Sequence, residues 1–442
     1  MTEKIKANNI KYYFLREEVM IKMDKSVNFS TEIMAGFTTF LTMAYIIFVN
    51  PQILSAAGMD KTALIGVTCI VTGIITILTG LLTDTPIAMA PGMGLNAYFT
   101  YTLVINQKVS WEIALGIVFL SGLLFLILTL VGIREKIVEA IPSELLNAIA
   151  VGIGIFIAFI GLQNMKLIVG NPETLVTTGK IGTTTLISLF TLFLIVILYI
   201  KRVKGALLIG IIAATIVSVL MGYTKLPSRF ISFDLNISPV FAKLNIKDAL
   251  KLSLLAPIFS LMFVDMFDSI GSLLALGKEA NLIDKEGKMK KITPLLTIDA
   301  AATMFGAFMG TSTTTTYIES AAGIESGGRS GWTSITTGIL FLAALIFVPI
   351  LSIVPSFATA PALIMVGFLM MKNIKNIDFQ NLEVGFPSFV IIIMIGLSYS
   401  ISTGLAFGFL SYTFIKIVRG KFKDITPTMW LIAVLSILFL VV

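Results

Sequence analysis

The chain has 442 residues, of which 56% are hydrophobic and only 13% are charged, and its formal net charge is +7. Soluble domains carry about 25% charged residues, and the apolar residues here stand in runs too long for a soluble core. This composition excludes a soluble enzyme, a disordered chain and a nucleic-acid-binding domain. The sequence therefore predicts an all-α polytopic membrane protein, because the alternating ~10-residue segments of a membrane β-barrel are not seen in it.

The chain has no histidine, and its single cysteine, Cys69, stands inside an apolar run. A disulfide framework and a cysteine metal site are therefore excluded. Proton-linked chemistry would have to use carboxylates. We expect no metal and no cofactor.

About 20 apolar residues are needed for each helical crossing of a bilayer, and fourteen segments qualify when two interrupted ones are included. These segments are 31–50, 63–82, 87–105, 112–131, 142–163, 182–200, 205–222, 252–276, 294–310, 314–323, 332–353, 357–372, 387–401 and 403–418. A last apolar run, 427–442, is either a further span or a helix that lies against the others.

The basic residues predict the orientation. They collect in the N-terminal segment 1–28 and at Arg134 to Lys136, Lys201 to Lys204, Lys278 to Lys291, Arg329, Lys372 to Lys375 and Lys416 to Lys423. With fourteen spans and a cytoplasmic N-terminus, all of these groups lie on one side, as the positive-inside rule requires. We therefore expect a multi-pass protein of the plasma membrane whose basic loops face anionic lipid, not nucleic acid.

A long loop, 223–251, is predicted to be extracellular and divides the chain into two halves of seven spans, 29–222 and 252–425, followed by the apolar segment 426–442. The first half starts inside and the second outside, so a repeat between them would be inverted.

The third and tenth spans are abnormal and occupy equivalent places in the two halves. Thr85 to Tyr98 contains two prolines and two glycines, and Gly310 to Gly323 contains six consecutive Thr or Ser residues. We expect a short extended stretch in each, at 86–90 in the first, followed by helices from about Leu95 and Glu319. Irregular backbone at membrane depth persists only inside protein or beside a cavity, so the pair indicates a transport site, although simple kinks in ordinary helices are the alternative.

Ionisable residues inside a span are functional candidates by default. Asp265 and Asp268, spaced i,i+3 on one face of the eighth span, would repel each other, so one should hold a proton or a partner. Asp299 in the ninth span and Glu319 in the tenth join them. Each also has a structural alternative: a helix–helix contact for Asp265 and Asp299, or a favourable charge at a helix N-terminus for Glu319.

Two further acids lie at the ends of spans. Glu32 is expected to take part in capping its own helix near Ser30, and Asp84 to be solvated. The remaining group, with Asn96, suits a small, neutral, polar ligand that offers N–H donors and a carbonyl acceptor. A cation is also compatible with these residues.

Four segments resemble one known family. They are Thr31 to Pro51, Ala90 to Phe99, Phe263 to Gly271 and Gly310 to Gly323. They are similar to the first-, third-, eighth- and tenth-span signatures of the adenine/guanine/hypoxanthine (AzgA-like) branch of the nucleobase/ascorbate permeases. The likeness extends over about residues 26–425.

The resemblance implies two inverted seven-span repeats, with spans 1–4 and 8–11 forming a core domain and spans 5–7 and 12–14 a gate domain. Short strands from spans 3 and 10 would meet near the midplane, with the substrate between them. The resemblance implies import of purine nucleobases by proton symport through an elevator-type movement, and it leaves open a homodimer through the gate domain.

The resemblance also assigns residues. Asp268 and Glu319 would bind purine N–H groups, and Asp268 would be coupled to the proton together with Glu319, Asp299 and Asp265. Gly94 and Asn96 are implied in purine recognition, and backbone N–H groups near Tyr317 and Ile318 would meet the ligand. Thr42 and Tyr45 would approach from span 1.

Two other classes of function compete with this interpretation. A sulfate- or bicarbonate-type anion transporter shares the fold, but it predicts a cationic or donor-only site. A channel or a membrane enzyme would need a continuous polar pore or a nucleophile–base pair, and the sequence offers neither. The preferred purine, and proton against sodium coupling, are left open by the residues themselves.

Overall fold

A computed structural model describes residues 28–132, 141–283 and 289–441. The predicted cytoplasmic segment up to residue 27 and the basic group at Arg134 to Lys136 lie outside these ranges. The helices before the central loop are α1 (Phe29–Met43), α2 (Ile46–Ser55), α3 (Lys61–Thr83), α4 (Met93–Ala97), which continues as a π-helix (Tyr98–Asn106), α5 (Trp111–Val131), α6 (Ser143–Asn164), α7 (Thr183–Ile200) and α8 (Ala206–Leu220).

The rest of the chain is also mainly helical. The helices after residue 222 are α9 (Ile246–Ala249), α10 (Leu255–Glu279), α11 (Ile292–Met309), α12 (Ser320–Glu325), α13 (Gly331–Ala344), α14 (Val348–Leu351), α15 (Ser356–Met371), α16 (Leu382–Ser398), α17 (Ile401–Val418) and α18 (Pro427–Val441). Four strands complete the described structure, namely β1 (Met89–Pro91), β2 (Ile168–Asn171), β3 (Leu175–Thr178) and β4 (Thr314–Thr316).

Ten helical segments in the described ranges are long and apolar enough to cross a membrane. The predicted fourteen spans also include α8 and α16, which are shorter, and the two interrupted segments, so the count of fourteen stays a prediction. α18 has 15 residues, or about 22 Å at 1.5 Å per residue, which is less than the ~30 Å hydrocarbon core. This C-terminal helix packs against α17 and touches α10.

The two interrupted segments meet each other. β1 and β4 pair antiparallel, with Ala90 opposite Thr315. β1 overlaps the end of the predicted extended stretch 86–90, and α4 begins two residues before the expected helix start. α12 begins at Ser320, one residue after Glu319. The β2–β3 hairpin between α6 and α7 was not predicted, because its residues 168–178 offer no alternating apolar pattern long enough to indicate strands.

The long helices fall into two sets by their contacts. In the core set, α13 packs on α3 and α1, α12 packs on α1, α2 packs on α3, and α10 and α11 pack on α5. In the gate set, α6 packs on α15 and α16, α16 packs on α17, and α7 packs on α15 and α8. The helices of the first set come from the predicted core spans and those of the second from the predicted gate spans. The division into two domains, the domain bounds and the inverted repeat stay predictions.

Small residues allow these helices to approach closely. A β-carbon at Gly154 of α6 would lie 2.8 Å from the carbonyl oxygen of Gly367 in α15. Gly404 and Gly408, a Gly-x-x-x-Gly pair on α17, face Ile395 and Ile391 of α16. These glycines are therefore used for packing within one chain, and the homodimer stays a prediction.

Glu32 and Asp84, the two acids at span ends, do not have the roles predicted for them from the sequence. The N-cap of α1 is Asn28, whereas the buried Glu32 carboxylate accepts hydrogen bonds from the Arg329 and Ser330 N–H groups at 2.9 and 3.3 Å. Asp84 accepts from the Gly331 N–H at 2.8 Å. Both carboxylates therefore satisfy donors at the N-terminus of α13, which local sequence could not indicate because that helix lies about 250 to 300 residues further along the chain.

Candidate functional site

The site is built on the β1–β4 pair, whose outer edges are closed by two threonines. The Thr76 hydroxyl on α3 donates to the Met89 carbonyl at 3.0 Å and accepts from the Met89 N–H at 3.1 Å. On the other edge, the Thr303 hydroxyl on α11 makes the same two contacts with Thr314, at 3.1 and 3.2 Å. A two-stranded sheet can therefore lie inside the membrane, because side-chain hydroxyls pair with backbone groups on both of its outer edges. A bilayer requires such pairing, since it offers no water to unpaired N–H and C=O groups.

Asp268 and Glu319 are the accessible carboxylates of the site. Asp268 is exposed on α10, and Glu319 is half-buried directly before α12. α10, which carries Asp268, contacts α12, which Glu319 directly precedes. A β-carbon at Gly271, one turn beyond Asp268, would meet nothing within 4 Å, which indicates open space beside this face of α10.

Span 1 contributes to the same place. It is interrupted between α1 and α2, and Tyr45 lies at this interruption. Its buried hydroxyl donates to the Glu319 carboxylate at 2.5 Å, and the Thr42 hydroxyl lies 3.4 Å from the Glu319 carbonyl oxygen. The expected approach of these two residues to the tenth span is therefore seen in the structure.

Asp265 and Asp268 do not share one environment. Residues i and i+3 are about 60° apart on an α-helix, and this angle leaves Asp265 buried while Asp268 is exposed. The Asp265 carboxylate is 2.9 Å from the Thr303 hydroxyl. Its other oxygen has no partner among the described residues.

Asp299 is fully buried and ties β4 to α10. One of its oxygens accepts from the Ser269 hydroxyl at 2.6 Å and from the Thr316 N–H at 3.2 Å. The Ser269 hydroxyl is in turn 2.7 Å from the Thr315 hydroxyl. Asp299 therefore positions the strand, and its second oxygen finds no partner in the described part of the chain.

Asn96 lies in a buried network of side chains, not on an open surface. Its side-chain amide donates to the side-chain oxygen Oδ1 of Asn50 at 2.6 Å, and its own Oδ1 accepts from the Ser312 hydroxyl. The Asn50 amide continues the network to Thr68 at 2.7 Å and to Thr311 at 3.1 Å. In this conformation Asn96 holds four segments together.

Gly94, Tyr317 and Ile318 border the strand pair. Gly94 faces α6, since a β-carbon there would meet the Ile153 side chain. The Tyr317 N–H donates to the Ala88 carbonyl at 3.0 Å, and the Tyr317 hydroxyl donates to the Pro91 carbonyl at 2.7 Å. The strand pairing thus already uses the Tyr317 N–H, and a ligand contact with backbone N–H groups near Tyr317 and Ile318 stays a prediction.

Ile318 differs from its neighbour. Its side chain is 47% exposed, and no protein group accepts from its N–H within the described ranges. This donor precedes Glu319 directly and is therefore available to a ligand.

Three polar residues that support the acids were not predicted from the sequence. Asn50, Ser269 and Thr303 are each buried and hydrogen-bonded to a site residue or to the strands. Only a polar side chain within an apolar run could have indicated them, and many threonines in this chain have that property. Their partners lie on other spans, so the tertiary contact itself identifies them.

The site is acidic without a balancing cation. In the described ranges, none of the ion pairs between a lysine or arginine and a carboxylate includes Asp265, Asp268, Asp299 or Glu319. The described residues also contain no group of three or more His, Cys, Asp or Glu side chains arranged to hold a metal ion. Chemically, the site offers hydrogen-bond acceptors and proton-holding groups to a polar ligand.

Comparison with known proteins places this chain in a family. A family model described as Permease family (Xan_ur_permease) matches residues 30–407. The putative permease MJ0326 of Methanocaldococcus jannaschii is 47% identical over 413 residues, covering 93% of this chain and 94% of that protein. The guanine/hypoxanthine permease PbuG of Bacillus subtilis is 41% identical (94% and 97% covered), and the adenine permease AdeP of Escherichia coli is 38% identical (93% and 92% covered).

Solved structures give the fold. The transmembrane domain of the cyanobacterial bicarbonate transporter BicA superposes with a TM-score of 0.65 at 15% identity, covering 85% of this chain and 97% of that one. The murine anion transporter Slc26a9 in its inward-facing state gives 0.66 at 10% identity, covering 93% and 75%. These superpositions establish a shared helical fold. The chain is therefore a multi-pass membrane protein and not an enzyme, and it belongs to the xanthine/uracil (nucleobase/ascorbate) permease family, with purine permeases among its relatives.

Proposed function

We propose that this protein imports purine nucleobases by proton symport. The observation that carries the proposal is the accessible Asp268 carboxylate, which lies on a helix in contact with α12 beside Glu319 and forms no ion pair among the described residues. A purine presents ring N–H donors and carbonyl or ring-nitrogen acceptors. The two carboxylates would accept from the donors, and the Ile318 N–H would donate to an acceptor.

The transported proton would be held by one of the two neighbouring carboxylates, Asp268 or Glu319. Groups of like charge that lie close together cannot both ionise freely, so one of Asp268 and Glu319 would carry a proton when the substrate is bound. We place the coupling step at Asp268, because Glu319 already accepts a hydrogen bond from Tyr45. The buried Asp265 and Asp299 would support this step from behind β4.

The movement would be of the elevator type. Asp268 and Glu319 belong to the core set, and Gly94 of the same set contacts Ile153 of the gate set. The core set would therefore carry the substrate past the gate set. The N-terminus would face the cytoplasm, and the basic loops would face the inner leaflet of the plasma membrane.

The alternative is an anion transporter, because BicA and Slc26a9 share the fold. Their likeness at 15% and 10% identity carries no information on the substrate. An acidic site without lysine or arginine disfavours an inorganic anion, since such a ligand would meet repulsion on entering.

The test is uptake into proteoliposomes. Radiolabelled hypoxanthine, adenine, guanine, xanthine and uracil would be offered under an inward proton gradient, with and without an uncoupler, and separately under a sodium gradient. Purine accumulation that the uncoupler abolishes is expected. Accumulation driven only by sodium would overturn proton coupling, and uptake of bicarbonate or sulfate without uptake of any base would overturn the substrate class.

A further inference from the structure

A large apolar crevice lies away from the acidic site, between α8 of the gate set and the helices α1, α2 and α13 of the core set. Its volume is about 590 Å³. Phe40 and Ile47 form one wall, Leu340 and Phe347 a second, and Ile212 and Ile216 the third. The crevice therefore separates two sets of helices that touch each other closely elsewhere.

The crevice widens from one end of α8 to the other. Where α8 begins, a β-carbon at Gly205 would lie 3.1 Å from the Leu41 carbonyl oxygen, so the two spans are in contact there. At the other end, the Leu220 side chain is 81% exposed. α8 thus diverges from α1 and α2 and leaves a wedge-shaped gap that opens toward residue 220.

The described lining offers almost no polar group to a guest. Among the described lining residues only Thr215 is polar, and its hydroxyl donates to the Ile211 carbonyl at 2.8 Å. Water needs polar partners, and cavities lined only by apolar side chains stay dry and accept apolar molecules, so the occupant must be apolar.

The crevice is continuous with the lipid-facing surface. Ile212 and Ile216 line it and are also 45% and 54% exposed, and Ile209, one turn earlier on α8, is exposed outside it. Beyond the wide end, Leu226 belongs to the lining and is preceded by the exposed Tyr223 and Lys225. Tyrosine and lysine are typical of the membrane–water interface, and a lysine ammonium there complements a lipid phosphate.

We propose that an acyl chain of a membrane phospholipid occupies this crevice as a bound component, with its headgroup phosphate beside Lys225. The chain enters from the surface on the side of the 223–251 loop and fills the wedge between α8 and α2. This phospholipid joins the core and gate sets at a place where protein packing leaves a gap.

The test uses two tryptophan probes on α8 and the quenching of their fluorescence by brominated phospholipid. In a background in which Trp111, Trp332 and Trp430 are changed to Phe, Ile212→Trp places the probe in the crevice and Ile209→Trp places it on the outer lipid-facing side. Both variants are reconstituted with phosphatidylcholine brominated on its acyl chains. They are then transferred to detergent containing an excess of unbrominated lipid, and the recovery of fluorescence is followed.

We expect the Ile209→Trp signal to recover rapidly and the Ile212→Trp signal to recover more slowly, by a factor on the order of ten or more. Adding Ala343→Phe, which fills the crevice from α13, should abolish the slow phase. Equal recovery of the two probes would overturn the proposal, and so would an Ile212→Trp signal that brominated lipid never quenches, as expected if a protein segment covered the crevice.

A second measurement avoids the tryptophan variants. Phospholipid phosphorus per chain is determined after exhaustive detergent washing of the wild-type protein and of Ala343→Phe. The wild type should retain one more phospholipid per chain than Ala343→Phe, and equal retention would overturn the proposal. Neither measurement depends on transport, so its failure is distinguishable from failure of the proposed function.

Discussion

The Tyr45 hydroxyl donates a hydrogen bond of 2.5 Å to the Glu319 carboxylate. The two residues are 274 positions apart and come from the interruption of span 1 and from the segment before α12. This contact fixes the direction of the carboxylate and leaves its remaining acceptor capacity for a ligand. It also connects the core helices of the first half to those of the second.

Tyr45→Phe tests this contact. The variant keeps the ring and removes the donor, and hydrogen bonds to charged groups contribute about 1.5–3 kcal/mol. We expect kcat/KM for purine uptake to fall by at least about tenfold, mainly through a higher KM. Tyr223→Phe, in the exposed loop after α8, is the matched control and should leave uptake unchanged. Equal uptake by both variants would show that Tyr45 does not orient Glu319.

Asp268→Asn tests the coupling residue. The amide keeps the shape of the side chain but cannot hold the transported proton, so we expect uptake to lose its response to an imposed proton gradient.

Glu319→Gln should instead weaken substrate binding, because an amide is a poorer acceptor from purine N–H groups. Uptake and equilibrium binding of labelled base separate the two effects. Near-normal accumulation by both variants at equal expression would contradict the assignment of the site.

Glu32→Ala tests the carboxylate that closes the N-terminus of α13. The variant leaves the Arg329 and Ser330 N–H groups without their acceptor in a buried place, which costs about 1–3 kcal/mol. We expect a clearly lower thermal unfolding temperature in detergent. Glu325→Ala is the control, because its ion pair with Lys204 is exposed and such pairs contribute at most about 1 kcal/mol. Equal melting of the two variants would contradict the capping role.

Gly338→Ala tests the close approach of α3 and α13. The added β-carbon would lie 2.5 Å from the Gly73 carbonyl oxygen, so the helices must separate, at a cost of about 1–3 kcal/mol. Gly271→Ala is the control on stability, since open space surrounds that position and alanine favours a helix by up to about 1 kcal/mol over glycine. A melting temperature that Gly338→Ala does not lower would indicate that the two helices adjust freely.

Local composition determined much of this protein without any structure. Apolar runs and their basic flanks indicated a polytopic membrane protein, and the prolines and glycines of 85–98 and the hydroxyl run 311–316 located the interruptions at β1 and β4. These features can be recognised in the sequence because each unpaired backbone N–H or C=O group inside a bilayer costs free energy, so a spanning segment must be either a regular helix or a visible exception.

Only the tertiary structure decided which polar residues are buried, which are accessible and which groups they bind. The i,i+3 acids Asp265 and Asp268 separate into a buried and an accessible group, and the Tyr317 N–H goes to Ala88. Glu32 finds its partners near residue 330, far along the chain from its own helix. A hydrogen bond depends on which atoms meet in space at about 3 Å, and sequence spacing constrains that only within one turn of one helix.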